Sequence, residues 1–443
     1  MKHIVIVGNG IAGITAARHI RKKSDYKITV VSAESEYFFS RTALMYVYMG
    51  HMRFEDTQPY EPYFWKKNRI ELIHDCVTTI DFNAKTLILE QQSDLHYDDL
   101  ILAVGSKPNK FGWPGQDLKG VQGLYSKQDL EAMEANTKGV TQAVIVGGGL
   151  IGVEMAEMLL SRDIPVKFLV REDRFWGGIL PRADADLIER QMAQHHGLDL
   201  FKETELEAIQ GDDNGRVKSI TTKSGETIPC QFVGLTVGVT PNVDFLRGTT
   251  LEIDRGIIVN PDLSTSIPNV YAIGDCAQFK RSNGMRRSIE QVWYTGRMMG
   301  ETVAETICGN PTNYSPGHWF NSAKFFDVEY QTYGWVWNEL KEDEEEFIWR
   351  HPQKEILMHF VFDKDMLTFK GINNFGIRLR HEVFDNWLNQ SATIDEVMTN
   401  LRMANFDPEF FSTYEKEIVA AYNQQFNKHI QLASKKWWRT ILK

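Results

Sequence analysis

The chain has 443 residues, of which 42% are hydrophobic and 24% are charged, and its formal net charge is −10. These fractions are ordinary and exclude a disordered, collagen-like or fibrous chain, while the length predicts two or three domains. No apolar run approaches the ~18–20 residues that span a bilayer, and the acidic balance argues against a general nucleic-acid binder.

The chain opens with the pattern of a βαβ unit. Residues 4–7 predict a buried strand, residues 8–13 a Gly-rich turn, residues 14–23 a helix and residues 28–31 a second buried, parallel strand. Because Met1 is followed almost at once by the first strand, a secretory signal has no room. We therefore expect the protein in the cytoplasm.

The turn reads Gly-Asn-Gly-Ile-Ala-Gly over residues 8–13. A dinucleotide-binding turn needs glycines for the tight bend, for backbone approach to the pyrophosphate and for helix packing, and the helix N-terminus adds free N–H groups. An acid about twenty residues further on accepts from the ribose hydroxyls, and Glu34 stands there. The alternative is a tight turn without a ligand.

The same unit recurs in the middle of the chain. Residues 143–146 predict a strand, residues 147–152 the turn, residues 153–160 a helix and residues 166–170 a second strand, with Glu172 in the place of Glu34. Two such sites predict two different dinucleotides. Hydride transfer between them, with a flavin as the resident electron store, is the chemistry that this pairing favours.

Further segments are predicted along the chain. Residues 100–104 and 269–273 read as buried strands, and residues 113–115 as a hinge. The acidic run 342–346 is expected to be a solvated turn, and residues beyond 406 are expected to be helical to the end.

The four cysteines are far apart and form no CxxC pair, which argues against structural zinc, a disulfide framework and a dithiol centre. They are Cys76, Cys230, Cys276 and Cys308. We expect no metal site.

The order of motifs resembles the FAD-dependent pyridine nucleotide–disulfide oxidoreductase superfamily over roughly residues 1–310. The matching segments are residues 8–13, 103–106, 147–154, 238–242 and 271–277. The resemblance implies an α/β fold with two Rossmann-like dinucleotide-binding domains, for FAD and NAD(P), and a C-terminal α+β region. The implied FAD-binding domain is discontinuous (1–113 and 242–313), the NAD(P)-binding domain is 114–241, and an interface region with a helical tail is 314–443.

Disulfide-reducing members carry cysteines on the helix after the ribose acid, but residues 38–46 have none. This segment instead resembles the ferredoxin, rubredoxin and nitrite-reductase-type branch, with Arg41 and Leu44 matching and Tyr46 replacing a flavin-contacting Lys. A surface salt bridge is the alternative role for Arg41. Trp319 resembles an aromatic residue near the flavin, although a core Trp is the more ordinary interpretation.

The resemblance also implies site residues. Those of the FAD site are Gly8, Gly10, Ala12, Gly13, Glu34, Arg41, Ala103, Gly105, Gly274, Asp275 and Trp293. Those of the nicotinamide dinucleotide site are Gly147, Gly149, Gly152, Arg171, Glu172 and Gly238. The catalytic residues are Glu154 at the nicotinamide and Glu290 beside the flavin. Helix capping is the alternative for Asp275, and a favourable helix dipole is the alternative for Glu154.

The implied activity is an FAD-dependent NAD(P)H oxidoreductase that passes a hydride from NAD(P)H to FAD and then electrons to a small protein such as ferredoxin or rubredoxin. Arg171 suits NADPH, whereas Glu172 and Asp173 oppose a 2′-phosphate and favour NADH. NADH:quinone or NADH oxidase activity, and a slow flavin-dependent sensor or scaffold, stay open.

The tail at residues 435–439 is basic and aromatic. It is expected either to lie at a membrane surface, to dock an acidic electron-transfer partner, or to pack as an ordinary helix. The oligomeric state is not readable from the sequence.

Overall fold

The structure is a computed structural model that describes residues 1–281, 284–407, 409–410 and 412–433. Its strands are β1 (His3–Val7), β2 (Lys27–Ser32), β3 (Ile70–His74), β4 (Val77–Asp81), β5 (Thr86–Leu89), β6 (Leu95–His96), β7 (Asp99–Leu102), β8 (Ser106–Pro108), β9 (Val121–Gln122), β10 (Ala143–Val146), β11 (Val166–Leu169), β12 (Leu198–Phe201), β13 (Leu206–Gly211), β14 (Val217–Thr222), β15 (Thr227–Pro229), β16 (Phe232–Leu235), β17 (Val239–Pro241), β18 (Ile257–Val259), β19 (Val270–Ala272), β20 (Ala277–Phe279), β21 (Phe320–Phe325), β22 (Val328–Gly334), β23 (Glu344–Arg350), β24 (Leu357–Asp363) and β25 (Phe369–Phe375). Its helices are α1 (Ile11–Lys23), α2 (Leu44–Tyr48), α3 (Pro62–Lys67), α4 (Lys127–Asn136), α5 (Leu150–Leu160), α6 (Arg182–Gln194), α7 (Trp293–Ile307), α8 (His381–Asn389), α9 (Ile394–Thr399) and α10 (Glu415–Phe426).

The chain divides into two compact units. The first comprises Met1–Gly147, Met158–Val166 and Leu206–Pro316, and the second comprises Gly148–Glu157, Lys167–Glu205 and Gly317–Lys443. The division passes through α5 and β11, so it follows packing rather than the domain boundaries expected from the sequence. Those boundaries stay a prediction.

The first unit is built around a parallel sheet in the order β19-β7-β1-β2-β3. Its central strand β1 is almost entirely apolar and buried, as expected for a strand covered on both faces. Strands β9, β16 and β10 form a second parallel row in this unit. The carboxyl ends of β1 and β10 lead into the two Gly-rich turns, so one turn follows a strand of each parallel set.

Helices α1 and α7 pack closely in the first unit because small residues face each other. A Cβ atom added at Gly300 would lie 2.6 Å from the carbonyl oxygen of Ala12. Helix α1 begins at Ile11, three residues before the predicted start, because Gly10 already serves as its N-cap.

The second unit contains an antiparallel sheet in the order β21-β22-β25-β24-β23, packed with α8, α9 and α10. Its core is aromatic, with Phe347, Phe360 and Phe384 among the fully buried side chains. The predicted α/β fold with two Rossmann-like regions and a C-terminal α+β region is confirmed.

Two local predictions for the C-terminal region are wrong in part. Glu342 and Asp343 form the expected exposed turn, but Glu344 begins β23 and its side chain is only 3% exposed, 3.8 Å from the Lys370 ammonium. Residues beyond 406 are not helical throughout, because α10 ends at Phe426 and Asn427 adopts a left-handed conformation with φ 51°. The predicted tail at 434–443 lies outside the described residues.

Candidate functional site: two glycine turns and their acids

The first Gly-rich turn lies against the end of a neighbouring strand. Gly8 has φ +109°, and a Cβ atom there would lie 2.1 Å from the Ala103 carbonyl oxygen. A Cβ at Gly13 would meet the Gly8 carbonyl oxygen at the same separation. Only glycine therefore allows the turn to close against β7 and α1 to pack against the turn.

The space in front of this turn is open. A Cβ at Gly10 would meet nothing within 4 Å. Helix α1 has no side-chain cap and no acidic residue in its first turn, so its first N–H groups are not occupied by side chains. Such a helix end attracts anions, and its backbone N–H groups are suited to donate hydrogen bonds to a diphosphate.

The carboxylate of Glu34 is held by two residues. Arg41 donates from Nη1 and Nη2 to its two oxygens, at 2.8 and 2.6 Å, and the backbone N–H of Lys127 donates at 2.9 Å. Burial lowers the pKa of Arg41, but Glu34 outweighs burial and the pKa ends above its usual value. Arg41 therefore forms an ion pair with Glu34, and this pair is half-buried rather than a salt bridge on the open surface. These three bonds leave about one oxygen lone pair for a ribose hydroxyl.

Asp275 lies beside the same turn. Its neighbour Gly274 has φ +73°, and a Cβ there would lie 2.9 Å from the Ala12 methyl group. The Asp275 carboxylate accepts from the Tyr125 hydroxyl at 3.1 Å. Burial raises the pKa of Asp275. The first unit therefore contains all the residues from Gly8 to Asp275 that the sequence assigns to the FAD site.

Glu290 and Trp293 lie where α7 begins. The Glu290 carboxylate is 5% exposed and accepts two bonds from Arg286 Nη1, at 2.9 and 3.1 Å. Its charge is therefore matched by a buried guanidinium. Trp293 is the first residue of α7 and, with Ile11, lines a cavity of about 480 Å³.

The second turn repeats the geometry of the first. Gly147 has φ +113°, and a Cβ there would lie 2.6 Å from the Thr236 carbonyl oxygen. Gly149 faces open space, with nothing within 4 Å of an added Cβ. Gly152 is buried in the first turn of α5. This turn therefore has the same open cradle in front of a helix N-terminus.

Glu154 lies one turn into α5. Burial raises its pKa to about 7, and the neighbouring Glu157 adds to the shift. Glu157 is itself paired with Lys324, whose ammonium lies 2.6 Å from its Oε1. The Glu154 carboxyl group can therefore change its protonation state near neutral pH.

The acids after β11 are paired with arginines. Arg171 donates from Nε to Glu172 Oε1 at 2.9 Å, and Arg171 is 77% exposed. Asp173 accepts from Arg174 at 3.2 Å and from Arg182 at 2.5 Å.

Gly238 lies close to the second turn, because a Cβ at Gly147 would lie 3.1 Å from the backbone nitrogen of Val237, its neighbour. Gly238 has φ +87° and its carbonyl oxygen accepts from the Asn109 N–H at 3.1 Å in the first unit. Trp319, in the second unit, stacks on Trp335 at 5.5 Å, and Trp335 stacks on Trp337 at 4.9 Å.

Sequence reasoning missed Tyr125, Arg286 and Gln291. Gln291 donates to Ser106 Oγ at 2.8 Å and to the Val239 carbonyl oxygen at 3.3 Å, which joins two motifs. None of the three lies inside a glycine motif, so spacing alone offered no signal for them.

In residues 1–281, 284–407, 409–410 and 412–433, no helix is long and apolar enough to cross a bilayer. In the same ranges, His, Cys, Asp and Glu side chains form no group of three or more that could hold a metal ion.

Comparison with known proteins gives one family and many relatives. The model of the family described as pyridine nucleotide-disulphide oxidoreductase matches residues 2–300. The chain is 32% identical to nitrite reductase [NAD(P)H] of Bacillus subtilis over 314 residues, which are 70% of this chain but only 38% of that protein. It is 30% identical to NADH-rubredoxin oxidoreductase of Clostridium acetobutylicum over 313 residues, which are 70% of this chain and 76% of the relative.

A solved structure resembles nearly the whole chain. The NAD-dependent persulfide reductase from A. fulgidus matches with a TM-score of 0.81 and 25% identity, over 96% of this chain and 83% of that one.

Proposed function

The chain belongs to the pyridine nucleotide-disulphide oxidoreductase family, and we propose that it is an FAD-dependent NAD(P)H oxidoreductase that reduces a small electron-transfer protein such as ferredoxin or rubredoxin. The observation that carries this proposal is the pair of open glycine cradles, each in front of a helix N-terminus. The bound flavin would supply the chemistry by accepting a hydride and releasing electrons singly.

The cysteines support an activity without thiol chemistry. Cys276 directly follows Asp275 at the first site, and burial raises the pKa of its thiol to about 12. A thiol that stays protonated is a poor nucleophile. Residues 38–46, where disulfide-reducing relatives carry cysteines, contain none. The electrons therefore have no protein thiol to pass through at this site.

The protein contributes positions and charges. In the first unit Glu34 and the α1 N-terminus would bind the ribose and diphosphate of FAD, and Asp275 would accept from its sugar chain. In the second unit Glu154 would contact the nicotinamide. Glu290, neutralised by Arg286, would act as a fixed dipole beside the flavin rather than as a free base.

We propose NADH as the preferred donor. The Arg171 guanidinium, which would have to receive a 2′-phosphate, already pairs with Glu172. Asp173 adds a second negative charge beside it, although Arg174 and Arg182 pair with that carboxylate. An acid at this place accepts from a ribose hydroxyl and repels a phosphate.

The basic tail at 435–439 is proposed to place the protein beside its acceptor, which is either an acidic protein or a component at a membrane surface. This proposal rests on the sequence alone.

Anaerobic reduction tests the function. The purified full chain should be yellow, and NADH should bleach its flavin absorbance faster than NADPH does. A panel of acceptors (ferredoxin, rubredoxin, a quinone, nitrite and oxygen) then identifies the oxidant. A colourless protein that does not take up FAD would refute the proposal, and stable bleaching with negligible turnover on every acceptor would favour a sensor.

A further inference from the structure

Tyr125 joins two residues of the first site that come from different motifs. Its backbone carbonyl oxygen accepts from Arg41 Nη1 at 2.5 Å, and the Arg41 guanidinium lies 4.4 Å from its ring centroid. At the other end of the side chain, the hydroxyl donates to Asp275 Oδ2 at 3.1 Å. One side chain therefore contacts the partner of Glu34 and the acid beside the Gly274 turn.

The backbone is shaped to admit this side chain. The Tyr125 hydroxyl accepts from the N–H of Ser106 at 3.0 Å. Gly105, the preceding residue, has φ +67°, and a Cβ there would lie 2.8 Å from the Tyr125 oxygen. Ordinary residues at position 105 would therefore crowd the hydroxyl away from Asp275.

A second set of bonds fixes the start of the segment. The N–H groups of Tyr125 and Ser126 both donate to Asp129 Oδ2, at 2.9 and 2.8 Å. Ser126 caps α4 in return by accepting from the Asp129 N–H. The backbone from which the Tyr125 ring extends is thus held in place by a capping box.

We propose that Tyr125 is a positioning residue of the FAD site, which holds Asp275 and the Glu34–Arg41 pair in one constellation for the flavin dinucleotide. This inference rests on the proposed function. Asp275 is the member that depends on the hydroxyl, because the hydroxyl donates a hydrogen bond to its half-buried carboxylate. The Glu34–Arg41 pair depends instead on the ring and the backbone carbonyl.

Two substitutions separate the role of the Tyr125 hydroxyl from the role of its ring. Tyr125→Phe removes the hydroxyl and keeps the ring under Arg41. A hydrogen bond to a charged group contributes enough that its loss should weaken FAD binding about tenfold. Tyr125→Leu removes the ring as well, and its FAD affinity should fall further.

The control is Tyr97→Phe. Tyr97 is a buried tyrosine of the same unit, and its hydroxyl has no hydrogen-bond partner in the described residues. It lies in the link between β6 and β7, at the end of β7 opposite to the one that meets the first glycine turn. Its substitution removes the same hydroxyl without breaking a bond, so FAD affinity should not change.

The experiment measures FAD dissociation constants by flavin fluorescence, and thermal unfolding with and without FAD, on the full chain. Y125F should raise the dissociation constant about tenfold, and it should also lower the unfolding temperature of the flavin-free protein, because the Ser106 N–H loses its acceptor. In an Asp275→Ala background, which has no side-chain acceptor at position 275, Y125F should add little, because the two side chains act through one bond.

Two results overturn the inference. In the first, Y125F keeps wild-type FAD affinity. In the second, Y125F and D275A weaken binding additively, which would mean that the hydroxyl does not act through Asp275. Failure of the wild-type chain itself to bind FAD would instead refute the proposed function, so the two failures are distinguishable.

Discussion

At the scale of single residues, Glu154 offers the most direct test of the second site. Its pKa is raised to about 7 by burial and by Glu157. As hydride leaves the nicotinamide, positive charge develops on the ring, and a carboxylate stabilises it better than a neutral acid. Flavin reduction by NADH should therefore accelerate as the pH rises through 7. In Glu154→Gln the rate should be about tenfold lower at pH 8 and insensitive to pH in this window.

Stopped-flow reduction under anaerobic conditions, from pH 5.5 to 8.5, measures this profile. Glu90→Gln is a suitable control because Glu90 is an exposed acid at the end of the β5 hairpin strand. An E154Q enzyme that keeps the wild-type pH profile would contradict the role of Glu154.

Residue-scale prediction from the sequence worked where a motif encodes the geometry. The distance from Gly13 to Glu34 is set by one helix and one strand, so the spacing placed the acid correctly at the end of β2. The partners of these residues could not be found in this way. Arg41 and Tyr125 are 84 positions apart, and Tyr125 and Asp275 are 150 positions apart, so only the folded sheet brings them together.

At the scale of elements, the close packing of α1 against α7 depends on Gly300. An added Cβ at this position would lie 2.6 Å from the Ala12 carbonyl oxygen and 2.9 Å from Thr15 Cβ. Gly300→Ala must therefore push α7 away from the helix whose N-terminus faces the first cradle. We expect a loss of about 1–3 kcal/mol in the free energy of unfolding, together with weaker FAD binding.

Denaturant unfolding and FAD titration measure both effects. Gly178→Ala is the control, because a Cβ there would meet nothing within 4 Å. This variant should be neutral or slightly more stable. Wild-type stability in G300A would show that the two helices can separate without cost.

A buried charged cluster joins α6 to the C-terminal sheet within the second unit. His359 Nδ1 lies 2.8 Å from Asp184 Oδ1, its Nε2 lies 2.9 Å from Glu346 Oε2, and Asn373 donates to Asp184 at 2.7 Å. Burial lowers the pKa of His359, but the two carboxylates outweigh burial and raise it to about 9. The imidazolium is therefore the form that stabilises this junction at neutral pH.

The raised pKa predicts a pH dependence of stability. The stabilisation should be fully present below pH 6.5, the ordinary histidine value, and should disappear as the pH rises through about 9. Urea unfolding of the full chain, followed by tryptophan fluorescence from pH 6 to 10, measures this change in stability. His359→Gln should be less stable at pH 6 by on the order of 3 kcal/mol and should lack the decline above pH 7. A parallel decline in both proteins would assign the effect to other groups.

This cluster also shows why the acidic run forms a solvated turn only at Glu342 and Asp343. A run of five acids over 342–346 is typical of a solvated turn. Glu344 and Glu346 instead belong to β23, where Glu344 meets Lys370 and Glu346 meets His359. The partners come from β24 and β25, so the pattern of the segment alone could not reveal that its acids are paired.

At the scale of the whole molecule, the net charge of −10 opposes the approach of an acidic electron-transfer protein. A local positive region is needed to offset this repulsion, and residues 434–443 supply one in the sequence: Lys435, Lys436, Arg439 and Lys443. Composition and motifs together predicted the family, the two cofactors and the class of reaction. They could not identify the acceptor, since acceptor docking depends on the shape and charge of a surface.

Deletion of residues 434–443 tests the role of this tail. If the tail steers an acidic acceptor, the second-order rate constant for acceptor reduction should fall several-fold at low ionic strength in the truncated chain. The full-length enzyme should slow as salt is added, because screening removes the steering, whereas the truncated enzyme should respond less. Reduction of a small uncharged dye should be equal in both. An equal loss with dye and acceptor would show that the deletion damages the flavin site, and an unchanged acceptor rate would assign docking to another surface.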